Sequence, residues 1–164
     1  MSPLRTSSRI AALLALPAAA VWSPTIVAAD EPEPGEECWT IALTEEEVAQ
    51  GATSEITCGE LPPGEDGFAG RSSMIALATH YTGVNATGSS FTVYKSSCYG
   101  YTVFTPGSYW DDSISSTVNW SCGSTKHYMN YSHTGTNQIV NSLTGWLTNL
   151  GLLNNKTSSI GYFS

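Results

Sequence analysis

Thr79-His80-Tyr81-Thr82-Gly83-Val84-Asn85-Ala86-Thr87-Gly88 and Lys126-His127-Tyr128-Met129-Asn130-Tyr131-Ser132-His133-Thr134-Gly135 read as two copies of one pattern. His-Tyr falls on His-Tyr and Thr-Gly on Thr-Gly, and further along Val93 falls on Val140. The ends of the copies match as well. Asp111-Asp112-Ser113-Ile114-Ser115-Ser116 corresponds to Asn154-Asn155-Lys156-Thr157-Ser158-Ser159. An internal repeat of this period constrains a fold more than any single motif does. The copies occupy about residues 74–121 and 122–164, long enough for four short strands each. Ser, Thr, Tyr, Val and Gly dominate them and strong helix signals are scarce, so the fold class is all-β. Ile139 to Leu153 is the one stretch with a helical aspect, and Gly145 and Gly151 interrupt it.

Upstream of the repeats the chain changes character. Arg5 and Arg9 precede an apolar run from Ile10 to Trp22, too short to span a bilayer and apolar on every face. With the small residues Val27-Ala28-Ala29 after it, the stretch 1–29 reads as a signal peptide cut after Ala29, which implies a secreted protein with no membrane anchor. Residues 30–37, rich in proline and glutamate, form an acidic leader that cannot bury a core. Cys38-Trp39-Thr40-Ile41 suits a strand, Thr44 with Glu47 fits a capping box, and Thr53 to Cys58 can return as a second strand. These residues define a small module over 38–60. The Pro- and Gly-rich stretch 61–73 is a linker to the repeats.

All four cysteines lie downstream of the signal, an even number that predicts two disulfides in an exported chain. Three pairings are open. Chain proximity favours Cys38 with Cys58 and Cys98 with Cys122. No CxxC or HxxxH pair supports zinc instead.

Charge divides the chain further. Without Arg5 and Arg9, four basic residues face fourteen acidic ones, a net of −10. Twelve of the acids fall between Asp30 and Asp66, and only Asp111 and Asp112 follow. Neither half carries a basic stripe, which excludes nucleic-acid binding by phosphate neutralisation.

The aromatic-to-glycine hairpin, the terminal Ser-Ser pair and the tandem arrangement resemble the βγ-crystallin family. The resemblance covers about Met74 to Phe163 and implies a sandwich of two Greek-key motifs. Calcium-binding members carry a hexapeptide of the form Asn/Asp-Asn/Asp-x-x-Ser/Thr-Ser in each repeat, and both copies here fit it at every specified position. Where the family places a second aromatic residue two positions before the hairpin glycine, this chain has Ala86 and His133. The resemblance implies two reciprocal calcium sites. One takes Asp111, Asp112 and Ser113 with Thr157, and the other takes Asn154, Asn155 and Lys156 with Ser115. Calcium is a hard cation that seeks six to eight oxygen ligands, and the hexapeptides offer carboxylates, amides, hydroxyls and carbonyls. The first loop holds two carboxylates and the second none, so the first is expected to bind more tightly. Both should fall in the extracellular range of about 10⁻⁵ to 10⁻³ M. The competing reading of the hexapeptides is turn chemistry, since Asp, Asn and Ser bond their own backbone readily.

His80 and His127 occupy equivalent repeat positions, as a structural role repeated with the fold predicts, and no nucleophile sits in a GxSxG elbow. The expectation is a non-enzymatic protein whose ion stabilises a structural or binding module. The fold resemblance also admits two alternatives. One is a secreted metalloproteinase inhibitor, whose partner would be an extracellular protease met by an exposed loop over Tyr99 to Tyr109. The other is a toxin-like or antimicrobial protein.

Overall fold

The computed structural model describes residues 31–33, 36–59, 74–141 and 147–164. The stretches read from the sequence as a signal peptide, 1–29, and a linker, 61–73, lie outside the described residues. The fold is all-β, with one short helix among the described residues. Its elements are β1 (Cys38–Ile41), α1 (Glu45–Ala49), β2 (Thr57–Cys58), β3 (Ile75–Gly83), β4 (Thr87–Lys95), β5 (Gly100–Val103), β6 (Ser116–Asn119), β7 (Ser124–Tyr128), β8 (Asn137–Asn141), β9 (Leu147–Asn149) and β10 (Ser159–Phe163). The stretch with a helical aspect contributes β8 and β9, and no helix falls on it among the described residues.

The repeats become visible in the strand order. One sheet runs β2-β1-β4-β3-β6-β9 and the other β5-β10-β7-β8. In each repeat the first, second and fourth strands are neighbours, while the third pairs with the fourth strand of the other repeat: β5 with β10, and β9 with β6. Neither repeat completes a sheet alone, so the copies must fold together.

Alternation sets the faces. In β10, Ile160 and Tyr162 turn inward and are fully buried. They meet Leu77, Phe91 and Val93 of the other sheet in one core, which Phe104, Trp110, Ile114, Leu150 and Leu153 extend from the connections. His80 and His127 lie at its centre, with ring centroids 5.3 Å apart.

The amino-terminal unit docks on this body. β1 pairs in parallel with β4, Cys38 lying beside Phe91 and Ile41 beside Tyr94. The capping box closes as its sequence requires: Thr44 Oγ1 accepts from Glu47 N–H at 3.2 Å, and Glu47 Oε2 accepts from Thr44 N–H at 2.7 Å. The return strand is only Thr57–Cys58, shorter than the expected Thr53 to Cys58. The Cys38–Cys58 disulfide joins residues that are also cross-strand partners. Closing a loop of that separation stabilises the fold by about 3 kcal/mol in the chain-entropy model.

The second expected disulfide is not formed. Cys98 and Cys122 lie side by side, but Cys98 Sγ donates to Ser121 O at 3.1 Å. Burial and then the Cys98 thiol beside it push the Cys122 thiol above its ordinary range. Chain proximity placed these two cysteines together.

Candidate functional site

The two hexapeptides, far apart in sequence, lie against each other, and their contacts follow a two-fold exchange. The second residue of each donates its N–H to the carbonyl of the fourth residue of the other: Asp112 to Thr157 at 3.2 Å and Asn155 to Ile114 at 3.0 Å. The fifth residue of each donates its hydroxyl to the side chain of the second residue of the other. Ser115 Oγ donates to Asn155 Oδ1 at 2.7 Å, and Ser158 Oγ to Asp112 Oδ1 at 3.3 Å. Asp112 and Asn155 both adopt the left-handed conformation, with φ of 54° and 55°. Asp and Asn tolerate that region better than other non-glycine residues, which is a physical reason for those types at this position.

The sixth residue of each hexapeptide pins its own repeat's hairpin. Ser116 Oγ donates to Gly83 O at 2.6 Å and accepts from Ala86 N–H at 3.1 Å. Ser159 Oγ donates to Asn130 O at 2.5 Å and accepts from His133 N–H at 3.3 Å. The hairpins match in backbone too: Ala86 and His133 have φ of 58° and 53°, followed by Gly88 and Gly135 at 77° and 80°. A Cβ on Gly88 would stand 2.4 Å from Thr82 Oγ1, so glycine is required there by space as well as by angle.

Of the sequence-derived residues, Asp112, Ser115, Asn155 and the Thr157 carbonyl meet across the loops, and the others are placed differently. Thr157 turns its hydroxyl inward, 3.5 Å from both His127 Nδ1 and Leu153 O, and it is Ser158 that reaches the first loop. The signal for Ser158 was its position, fifth in the hexapeptide, matching Ser115. Ser113 Oγ donates to Trp110 O at 2.9 Å, a contact within its own loop. Lys156 is exposed and its N–H donates to Leu153 O at 3.0 Å. Asn154 is exposed on the loop.

Asp111 carries the local anomaly. Its Oδ2 accepts from Tyr131 O–H at 2.6 Å and from Gly107 N–H at 3.0 Å, whereas its Oδ1 is buried with no hydrogen-bond partner. A buried, unpaired carboxylate oxygen costs free energy that a cation would offset. The Tyr131 hydroxyl is in turn raised above the ordinary phenol range, chiefly by its bond to Asp111. Among the described residues no group of three or more His, Cys, Asp and Glu forms a metal cluster. The two loops carry two carboxylates with amide, hydroxyl and carbonyl oxygens, donor types that a hard cation prefers over zinc or copper.

The histidines form a buried polar chain. Thr117 Oγ1 lies 2.9 Å from His80 Nδ1 and 3.0 Å from His127 Nε2, and His80 Nε2 lies 2.9 Å from Tyr162 Oη. Burial holds His80 well below the ordinary imidazole range, with the His127 charge a smaller contribution, and burial lowers His127 to about 3. Both are sealed from solvent. Within the stretch Tyr99 to Tyr109, expected as an exposed loop, Gly100–Val103 form β5 and Phe104 is buried, while Tyr99 and residues 105–107 are exposed.

No protein-family model matches the chain, and neither a curated protein nor a solved structure matches it.

Proposed function

We propose that this is a secreted, non-enzymatic calcium-binding protein of βγ-crystallin-like architecture, in which the ions tie two Greek-key repeats into one module. The observation that carries the reading is the reciprocal exchange between the hexapeptides: each loop gives the other a hydroxyl and a carbonyl at the same two positions. Turn chemistry alone would satisfy each loop from its own backbone and would not require the two to meet. The unpaired Asp111 Oδ1 adds a buried negative atom in want of a cation. The strand order, with the fourth strand beside the first and the third exchanged between sheets, supports the Greek-key part of the reading. The disulfide fits an oxidising compartment and so supports secretion.

In this reading Asp111 and Asp112 supply the carboxylates of the tighter site, with the Ser113 carbonyl and the Ser158 hydroxyl. Asn154, Asn155, the Lys156 carbonyl and Ser115 supply the weaker one. Bound calcium cross-links loops that the chain already brings together, and it stabilises the fold by mass action. The test is calorimetric titration of the purified chain with calcium, paired with thermal melts in calcium and in chelator, for the native sequence and for Asp111→Ala/Asp112→Ala. Two binding events and loss of the tighter one in the variant are expected. An absence of heat and of any melting shift would reduce the hexapeptides to turns.

A further inference from the structure

Without the amino-terminal unit, the repeats form the sheets β4-β3-β6-β9 and β8-β7-β10-β5, which are equivalent strand for strand. Their ends are treated unequally. The amino-terminal unit covers the outer strands of the first repeat on both sheets. β1 pairs with β4, while Leu43 and Tyr101 of β5 exchange N–H to carbonyl bonds at 2.7 and 2.9 Å, and Ser54 N–H donates to Val103 O at 2.7 Å. The same strands of the second repeat, β8 and β9, are the outermost of their sheets, and no strand among the described residues pairs with their outer edges.

An edge strand presents a row of unpaired N–H and C=O groups, which proteins blunt by shortness, charge, proline or cover. β9 is three residues long. β8 has five, Asn137-Gln138-Ile139-Val140-Asn141, with neither a charge nor a proline. The bond from Met129 N–H to Thr136 O at 3.0 Å sets the alternation of its hairpin, which turns the N–H and C=O of Asn137, Ile139 and Asn141 away from β7. The covered edge of the first repeat demonstrates what such groups accept. Tyr94, which corresponds to Asn141, takes the Ala42 N–H on its carbonyl at 3.0 Å where β1 lies alongside.

Symmetry and charge select the occupant. The outward residues read Asn-Ile-Asn in both directions about Ile139, so an antiparallel copy sets Ile139 against Ile139 and Asn137 against Asn141. Ile139, 53% exposed, is the most exposed large apolar side chain on any described strand, and pairing would cover it with its own copy. No acidic residue follows Asp112, whereas the unit on the opposite side carries Glu45, Glu46, Glu47 and Glu55. Joining two copies at β8 holds their β5 edges, and the acidic units bonded to them, about 30 Å apart at ordinary strand spacing. That is several times the screening length of about 8 Å.

We propose that β8 is an association edge for a second copy of this chain, the two β8 strands pairing antiparallel about a two-fold axis at Ile139 to continue one sheet through both copies. A contact of this size makes a weak dimer that forms at high concentration.

Sedimentation velocity from about 10 µM to about 1 mM chain, with amide hydrogen exchange at both ends of the range, tests it. The mass should move toward that of two chains, and exchange of the Ile139 and Asn141 amides should slow about tenfold at the higher concentration, while Gln138 and Val140, already turned to β7, change little. Ile139→Pro removes an N–H that β7 does not use, and Ile139→Lys sets like charges together at the axis. Each should weaken association at least about tenfold, whereas Ile139→Val stays within about threefold. Ile139→Lys keeps every backbone group, so an unchanged amide spectrum elsewhere in that variant separates loss of pairing from loss of the fold. A chain that stays single at the highest concentration, or a dimer that both variants leave intact, would overturn the proposal. So would protection of these amides by an unrelated capped Thr-Val peptide in a chain that stays single, which would assign the edge to a foreign strand.

Discussion

The two hexapeptide loops make the same contacts with different charge. Backbone angles, the crossed N–H to carbonyl bonds and the crossed hydroxyl bonds all agree between them, yet the first loop has Asp111 and Asp112 where the second has Asn154 and Asn155. Repetition has preserved geometry and let electrostatics diverge. The comparison extends inward, where His80 and His127 share a repeat position and the same threonine, and outward, where Ala86 and His133 share a strained backbone position with unlike side chains. Each level is open to a perturbation that asks whether the copies are energetically equal.

The largest effect is expected from acid. Both core histidines have folded pKa values below the ordinary 6.5, His127 at about 3. The unfolded chain therefore binds protons that the native state refuses. Stability is complete above about pH 6.5 and is lost as pH falls from there toward 3, by about 1.4 kcal/mol per pH unit for each histidine. By pH 4.5 His127 would have removed about 3 kcal/mol, with His80 acting in the same direction, a sizeable share of a small domain's stability. Urea unfolding across pH 4 to 8 measures the slope. His127→Gln should roughly halve it, and an unchanged slope would mean that the copies do not share the proton linkage.

Calcium comes next, and here the charge difference should appear. If the first site binds near 10⁻⁴ M, 10 mM calcium adds about 2.7 kcal/mol through it. The second, without a carboxylate, should add less. Thermal melts of Asp112→Asn and Asn155→Asp in calcium test this directly. The first substitution should lower the calcium-dependent gain and the second raise it, because the exchanged geometry is the same in both loops. Equal gains in all three proteins would mean that carboxylate count does not set the order of the sites.

The serine pins should behave alike. Ser116→Ala and Ser159→Ala each remove a hydroxyl that satisfies one N–H and one carbonyl of a folded hairpin. Leaving such groups part-buried and unpaired costs about 1–3 kcal/mol. Chemical denaturation should give similar losses for the two variants, and a large difference would show that one hairpin depends on its pin and the other does not.

These pairs also show how far the sequence could be read. His-Tyr, Thr-Gly and the hexapeptides align by eye, and because a repeated motif occupies a repeated place, the shared structural role of the histidines follows from alignment, whereas the meeting of the loops was implied by the family resemblance. The capping box at Thr44 was legible for a different reason, since all its bonds span three residues. What could not be read was set by partners distant in the chain. The exchange of β5 and β9 between sheets, the parallel docking of β1 on β4, and the division of labour between Thr157 and Ser158 depend on which face a residue turns to a segment far away. Cys98 and Cys122 show the same limit at close range, because proximity fixed their neighbourhood and not their bonding.

The smallest effect is the most discriminating, because it should differ in sign. Ala86 and His133 both sit at positive φ, where a Cβ crowds the following carbonyl at a cost of about 1–2 kcal/mol. Glycine relieves the crowding and loses part of the gain to chain entropy. At Ala86, whose side chain is a methyl, Ala86→Gly should stabilise the fold by about 0.5 kcal/mol. His133 gives up more than a strained angle. Its ring packs 4.3 Å from Tyr101 and 5.5 Å from Tyr128, taking the part of the second aromatic residue in the hairpin. A ring pair of this kind is worth about 0.5–1.5 kcal/mol beyond its area, so His133→Gly should destabilise despite the same relief. Denaturation midpoints of the two variants give the answer. Opposite signs would mean that the second repeat endures its strained residue for the sake of the ring, whereas stabilisation in both would mean that the ring contributes less than the angle costs.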